Sequence, residues 1–236
     1  MTTFQYHPEV LAKYPKVVGG VIVARGLVNA ETPEALKTEY ATEQQATITR
    51  IGSMPLSELP SLSAWRGVFR GFGVDPTQYR NAAEALLRRL TKQGDIPFIN
   101  TMVDLANLVS IRYALPVAVF DTQDTTGAVT VRLARGDERF TVLGQSDPEH
   151  PEAGEVIFVD EADLVSARRW CWRQSAQSAA NETTSNVIVT VEAHHSNARP
   201  EIEAALHNLS ALLERYAGAE ADSMNIAILD AANPAI

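Results

Sequence analysis

Apolar positions change their period near Pro116, from the three-and-four spacing of helices to the alternation of strands. The best-marked helix lies ahead of that point. Asn81 and Glu84 have the spacing of a capping box, Leu86, Leu87 and Leu90 make the apolar stripe, and Gly94 stands where a terminating glycine belongs. A second helix is predicted over Asn100 to Arg112, with Val103, Ala106 and Val109 on one side. Asp104 and Asn107 lie three apart and share a neighbouring face. Leu59, Leu62, Trp65 and Phe69 predict a helix within Ser57 to Phe69, and Thr32-Pro33 reads as an N-cap with proline at the first helical position, opening a helix toward Gln45. Val17 to Ala24 is the exception in this half. It is continuously apolar with two glycines, which predicts a buried strand at a close backbone approach.

Beyond Pro116, Val117 to Phe120 and Val129 to Ala134 read as strands joined by a turn at Asp124 to Gly127. Arg139 to Leu143, Glu155 to Val159 and Asn186 to Ala193 are further strand candidates, and Gln145 to Gly154, with two prolines, reads as a loop. Pro200 opens an amphipathic helix carrying Ile202, Ala205, Leu206, Leu209, Leu212, Leu213 and Tyr216. Asn225 to Leu229 adds a short strand, and the last residues are expected to be loose. No repeat or low-complexity linker interrupts this order. The expectation is a single α+β domain over residues 1–236, its sheets built largely from residues after Pro116.

Composition narrows the functional classes. Hydrophobic residues at 45% and charged residues at 21% are ordinary globular values. A formal net charge of −9 argues against a protein held on nucleic acid mainly by phosphate neutralisation, although a local basic groove is compatible with it. The single Cys171 precludes an internal disulfide and fits a reducing compartment. The start of the chain lacks a signal-peptide pattern, and Val17 to Ala24 is far short of the roughly 20 residues of a membrane helix. A cytoplasmic protein with no membrane and no DNA partner is expected.

Candidate chemistry is sparse. The histidines have no metal-ligand spacing, with His194-His195 pointing to opposite faces of a strand, and no Gly-x-Ser-x-Gly elbow is present. Cys171, between two tryptophans, reads as buried rather than nucleophilic. Gly71-Phe-Gly73 and Arg135-Gly-Asp137 read as turns. Arg168-Arg169-Trp170-Cys171-Trp172-Arg173 interleaves aromatic rings with guanidiniums, as binding of a terminal nucleotide requires, although spacing alone favours a strand with tryptophans in the core and arginines in solvent. Arg80, Arg88, Arg89 and Lys92 form a second basic patch, which also reads as a solvated helix face.

The run from Trp65 to Trp172 carries more than any one of these. Gly71-Phe-Gly-Val-Asp75-Pro76, Tyr79-Arg80-Asn81, Val103-Asp104-Leu-Ala-Asn107, Pro116-Val-Ala-Val-Phe-Asp121, Gly154-Glu155-Val-Ile-Phe158 and Arg169-Trp170-Cys-Trp172 occur in an order that resembles the tRNA-editing module, domains B-three and B-four, of the phenylalanyl-tRNA synthetase β subunit. The similarity covers roughly residues 50–193 and is greatest to the free-standing form. It implies an α+β fold with a β-sandwich layered against helices, and hydrolysis of a wrongly attached amino acid in a pocket receiving the tRNA 3′ end. By position, Asn107 inherits a catalytic place and Asp104 a substrate-side place beside it. Ala106 and Ala118 stand where the synthetase has Thr and His, and the Glu that reads substrate there falls near Glu182 and Thr183.

The resemblance thus implies a trans-acting aminoacyl-tRNA deacylase without metal or cofactor. Asn107 would hold substrate or water, Arg169 and Arg173 the phosphate, and Trp170 or Trp172 the adenosine. The alternatives are a non-catalytic module binding tRNA, an aminoacyl-nucleotide or an amino acid, and a hydrolase of a small amino-acid ester or amide. The partner expected is the tRNA acceptor end, weakly bound; the oligomeric state is left open.

Overall fold

Val18–Ala24 is a strand, and the remaining elements are arranged about it. The structure, a computed structural model, describes residues 3–236. In chain order the elements are β1 (Phe4–Tyr6), α1 (Pro8–Lys13), β2 (Val18–Ala24), α2 (Glu34–Ile51), α3 (Pro60–Gly71), α4 (Ala82–Gln93), α5 (Thr101–Tyr113), β3 (Val117–Asp121) and β4 (Val129–Leu133). There follow β5 (Phe140–Thr141), β6 (Pro148–Glu149), β7 (Val156–Val159), β8 (Val165–Arg168), β9 (Arg173–Gln174), β10 (Val187–Ala193), α6 (Ala198–Tyr216) and β11 (Met224–Leu229).

β2 lies inside an antiparallel sheet of order β11-β2-β10-β3. Both faces of that sheet are covered, so β10 reads as a nearly unbroken apolar run. Val187, Val189, Val191 and Ala193 pack with Ile22, Ala24, Leu105 and Leu209 against a layer of α2, α4, α5 and α6. The alternate residues, Ile188 with Val21 and Phe120, meet Phe4, Val129 and Phe158 of a second sheet, ordered β1-β4-β7-β8-β9. The molecule is therefore an α+β fold in which one sheet of a β-sandwich is backed by helices, as expected. A small apolar cluster around Phe140, Ile157 and Val165 fills the outer side of the second sheet, where β5 pairs with β6.

Two adjacent glycines make the layers fit. A Cβ on Gly19 would lie 2.2 Å from the Tyr6 hydroxyl on the sandwich side, and one on Gly20 would lie 2.8 Å from Ile202 and Leu206 of α6 on the other. This is the close approach on both faces that two glycines in an apolar strand predict.

The helices with local caps match expectation. Asn81 caps α4 through Glu84 N–H, with left-handed Gly94 at its end, and Asn100 caps α5 through Val103 N–H. Thr32 is not the cap of α2; Pro33 occupies that place, and Thr32 Oγ1 donates instead to Asp104 at 2.5 Å. α2 also runs past Gln45 to Ile51. β3 and β4 are not a hairpin, because the turn between them carries the chain from one sheet to the other. β1, α1, β6, β8 and β9 are short elements that periodicity does not reveal. The final residues are not loose: Ile236 exchanges backbone hydrogen bonds with Phe4, at 3.2 and 3.0 Å, and Pro234 accepts from Tyr6 N–H at 2.9 Å. None of the described helices is long and apolar enough to cross a membrane.

Candidate functional site

Thr190 and Glu192 interrupt the apolar run of β10, and their parity points them into the sandwich. There they wall a cavity of about 80 Å³. Ala118 and Phe120 of β3 line it from the same sheet, Phe158, Ala167 and Arg173 from the facing sheet, and Trp170, Cys171 and Trp172 from the turn between β8 and β9. Ala118 sits directly opposite Thr190 in the β3–β10 register, on the same wall.

Among the described residues Glu192 is the only carboxylate on that wall, and it is almost wholly buried. Its Oε1 accepts from Tyr6 Oη at 2.5 Å and from Trp170 Nε1 at 2.9 Å. Tyr6 reaches it over the bare backbone of Gly19, which is the β2 residue paired with Glu192. No donor among the described residues reaches Oε2. Burial pushes this carboxyl up to about 7, against the opposing hydrogen bonds from Tyr6 and Trp170. Burial and the Glu192 charge together raise the Tyr6 hydroxyl and the Cys171 thiol well above their ordinary values, so both stay protonated. Cys171 is thus no ready nucleophile, as its sequence setting suggests.

His194 lies beyond Trp170, its ring 4.9 Å from that indole and 4.5 Å from Trp65. Burial brings it down to about 3, and its Nε2 has no hydrogen-bond partner. His195 faces the other way and pairs through Nε2 with Glu201 at 2.9 Å. Among the described residues no group of three His, Cys, Asp or Glu is placed to hold a metal ion.

The Arg168–Arg173 segment is not one strand: Arg168 ends β8, Arg173 begins β9, and Arg169–Trp172 make a tight turn between them. Arg169 and Trp170 are both left-handed, at φ 45° and 61°, a costly arrangement held by Trp170 N–H on Val156 O at 2.6 Å and Ala82 N–H on Cys171 O at 2.8 Å. The turn sorts the candidate side chains. Trp170 is fully buried and cannot stack on an incoming base. Arg169 is also buried, pairing with Glu152 at 3.1 Å and Glu155 at 3.6 Å while its guanidinium lies 3.9 Å from the Tyr79 ring and 4.7 Å from the Trp172 ring. It is therefore a largely buried cation engaged by two carboxylates and two rings. Trp172 is half-buried and Arg173 exposed, with the Arg173 guanidinium 4.5 Å over the Trp172 ring. Only these two of the four stand at the mouth.

The remaining candidates lie elsewhere. Asp104 is buried at the start of α5, accepting from Thr32 Oγ1 and from Ile99 N–H at 3.0 Å, so it fastens the preceding loops. Burial raises its carboxyl despite those bonds. Asn107 lies one turn on, beside the Tyr40 hydroxyl of α2. The shared face of Asp104 and Asn107 is thus real but meets α2, in the helical layer across the sheet from the cavity. Glu182 and Thr183 occupy an exposed turn, where Thr183 N–H and Oγ1 both donate to Asn181 Oδ1, and neither lines the cavity. Sequence reasoning missed Tyr6, Thr190 and Glu192. Two polar residues, two apart, inside an otherwise apolar strand were the available signal.

Residues 64–218 match the family model described as the B3/4 domain. Among curated proteins, the phenylalanine–tRNA ligase β subunit of Shewanella oneidensis is 26% identical over 121 residues, which are 51% of this chain and 15% of that subunit. The corresponding subunit of Staphylococcus saprophyticus is 37% identical over 86 residues, 36% of this chain and 10% of that one, and the Brucella abortus subunit is 28% identical over 136 residues, 58% and 16%. The aligned segments are thus less than a fifth of each relative's length. An N-terminal fragment of the phenylalanyl-tRNA synthetase β subunit from Pyrococcus horikoshii, solved as a crystal structure, superposes with a TM-score of 0.47 at 11% identity, covering 95% of this chain and 53% of that one. On the extent of the family match, the chain belongs to the B3/4 domain family.

Proposed function

We propose that this chain receives the aminoacylated 3′ end of a tRNA at the Trp172–Arg173 mouth and hydrolyses the ester in the cavity behind it, acting in trans. The observation that carries the reading is a buried carboxyl, pushed up to about 7, whose second oxygen has no donor among the described residues and which walls a mostly apolar cavity. Family membership and the synthetase β-subunit relatives support tRNA as the partner.

The chemistry asked of Glu192 is that of a general base. Ionised, it takes a proton from water as the water oxygen bonds to the ester carbonyl carbon. Collapse breaks the bond from that carbon to the ribose oxygen, which recovers the proton, and free amino acid and tRNA leave. Glu192 replaces Asn107 in this role because Asn107 does not reach the cavity. A cavity of about 80 Å³ is also well below the ~150 Å³ that admits a benzene ring, so the reading favours a short aminoacyl side chain over an aromatic one.

The test is deacylation of a panel of mischarged tRNAs by purified protein at enzyme far below substrate. Turnover of one or two species is expected, rising with pH through about 7 as Glu192 ionises. Glu192→Gln should lower it by roughly 10²–10⁴-fold. Binding without turnover on every species would favour the non-catalytic binding module, a reading that Ala118 at the synthetase's His position supports.

A further inference from the structure

α4 turns Leu87 and Leu90 into the core and presents Arg88, Arg89 and Lys92 outward. Taken by itself that stripe is an ordinary solvated helix face. The fold, however, sets it across a groove of about 460 Å³ from Trp172 and Arg173, and Arg80 closes the same groove. Five cations line it and no carboxylate does, in a chain whose formal net charge is −9. Arg80 and Arg89 have only distant carboxylate partners, Glu84 at 3.9 Å and Asp95 at 3.6 Å, and Arg89 Nε donates to the Asp95 carbonyl at 3.1 Å. Arg88, Lys92 and Arg173 have no carboxylate within 4.0 Å among the described residues. A second hollow, of about 410 Å³, lies on the far side of Arg80, Arg88 and Lys92, so these three form a ridge.

Like charges gathered without counter-ions repel one another, and a polyanion laid along them relieves that repulsion. The groove also ends at a planar stack. Arg173 lies over Trp172, and both residues wall the interior cavity as well. A charged track leading to stacked planes suits an unpaired nucleic-acid strand rather than a duplex.

We propose that the α4 groove is the track for the unpaired 3′ strand of an RNA, with phosphates along the Arg80–Arg88–Lys92 ridge and the terminal nucleotide at Trp172–Arg173. The direction of the strand rests on the function proposed above; the groove's affinity for RNA does not. The test is fluorescence anisotropy of a short unstructured RNA oligonucleotide over a range of salt, with Arg88→Glu/Lys92→Glu compared against Lys13→Glu/Lys16→Glu, an equal charge change on exposed residues near α1. The groove variant should bind at least about tenfold more weakly and lose roughly 1.4 from the salt slope, two phosphate contacts at about 0.7 each. The control should change little. Equal losses in the two variants, an unchanged slope, or tighter binding of a blunt duplex would overturn the assignment. Deacylation by the parent protein separates the two readings. Turnover without a groove effect sinks only the track, and a groove effect without turnover sinks only the hydrolysis.

Discussion

Glu192 and His194 sit two apart on the same side of the sheet and both contact Trp170, yet burial acts on them with opposite sign. The raised Glu192 carboxyl binds its proton more tightly folded than unfolded, so its stabilisation is full below about 4.5 and is lost as pH rises to about 7. The depressed His194 does the reverse: its stabilisation is present above about 6.5 and is lost as pH falls toward 3. Between about pH 4.5 and 6.5 the two slopes oppose each other. Thermal melts should therefore show stability rising with pH across that window for Glu192→Gln and falling for His194→Phe; parallel profiles would show that these groups do not govern the titration. Arg169 belongs to the same scale. Arg169→Ala should melt earlier, by ~1–3 kcal/mol of unfolding free energy in denaturant titration, because Glu155 and Glu152 lose a buried partner. RNA affinity should change far less than on loss of Arg173. What sequence made legible here was the Arg-Trp cluster; the polar pair in β10 was overlooked inside its apolar run. The partners that decide each role, Tyr6 for Glu192 and Tyr79 for Arg169, lie 186 and 90 positions away and leave no local trace.

At the scale of elements, legibility followed locality. α4 and α5 carry their own caps and stripes within a dozen residues, and they appear where those signals put them. The strands β6, β8 and β9 span only two to four residues, too few to show an alternation, and the left-handed Arg169–Trp170 turn has no glycine to announce it. The missed turn is why Trp170 and Trp172 part company when alternation would have kept them on one face. β2 offers the sharpest test of an element's fit. Gly19→Ala should destabilise by ~1–3 kcal/mol, since its Cβ meets the Tyr6 hydroxyl at 2.2 Å. Adding Tyr6→Phe should recover part of that loss, and denaturant titration of the two variants measures it. No recovery would mean that the strand itself, rather than Tyr6, resists the methyl group.

At the scale of the molecule, the β11-β2-β10-β3 sheet supplies a face to each of the two larger apolar clusters, so the two are expected to form together. Near- and far-ultraviolet circular dichroism should accordingly lose signal in one coincident transition; two separated transitions would divide the chain into units that fold apart. The same sheet has a consequence during synthesis. β2 leaves the ribosome well ahead of its partners β10 and β11, which begin only at Val187 and Met224. At roughly 5–20 residues per second, Val18–Ala24 waits on the order of ten to thirty seconds for its first neighbour. Throughout that interval an apolar, β-branched strand has both edges open and nothing of its own chain to pair with. The yield of the finished protein is therefore bound up with whatever shelters that segment in the meantime, and translation speed between residues 25 and 186 becomes a determinant of how much of it folds.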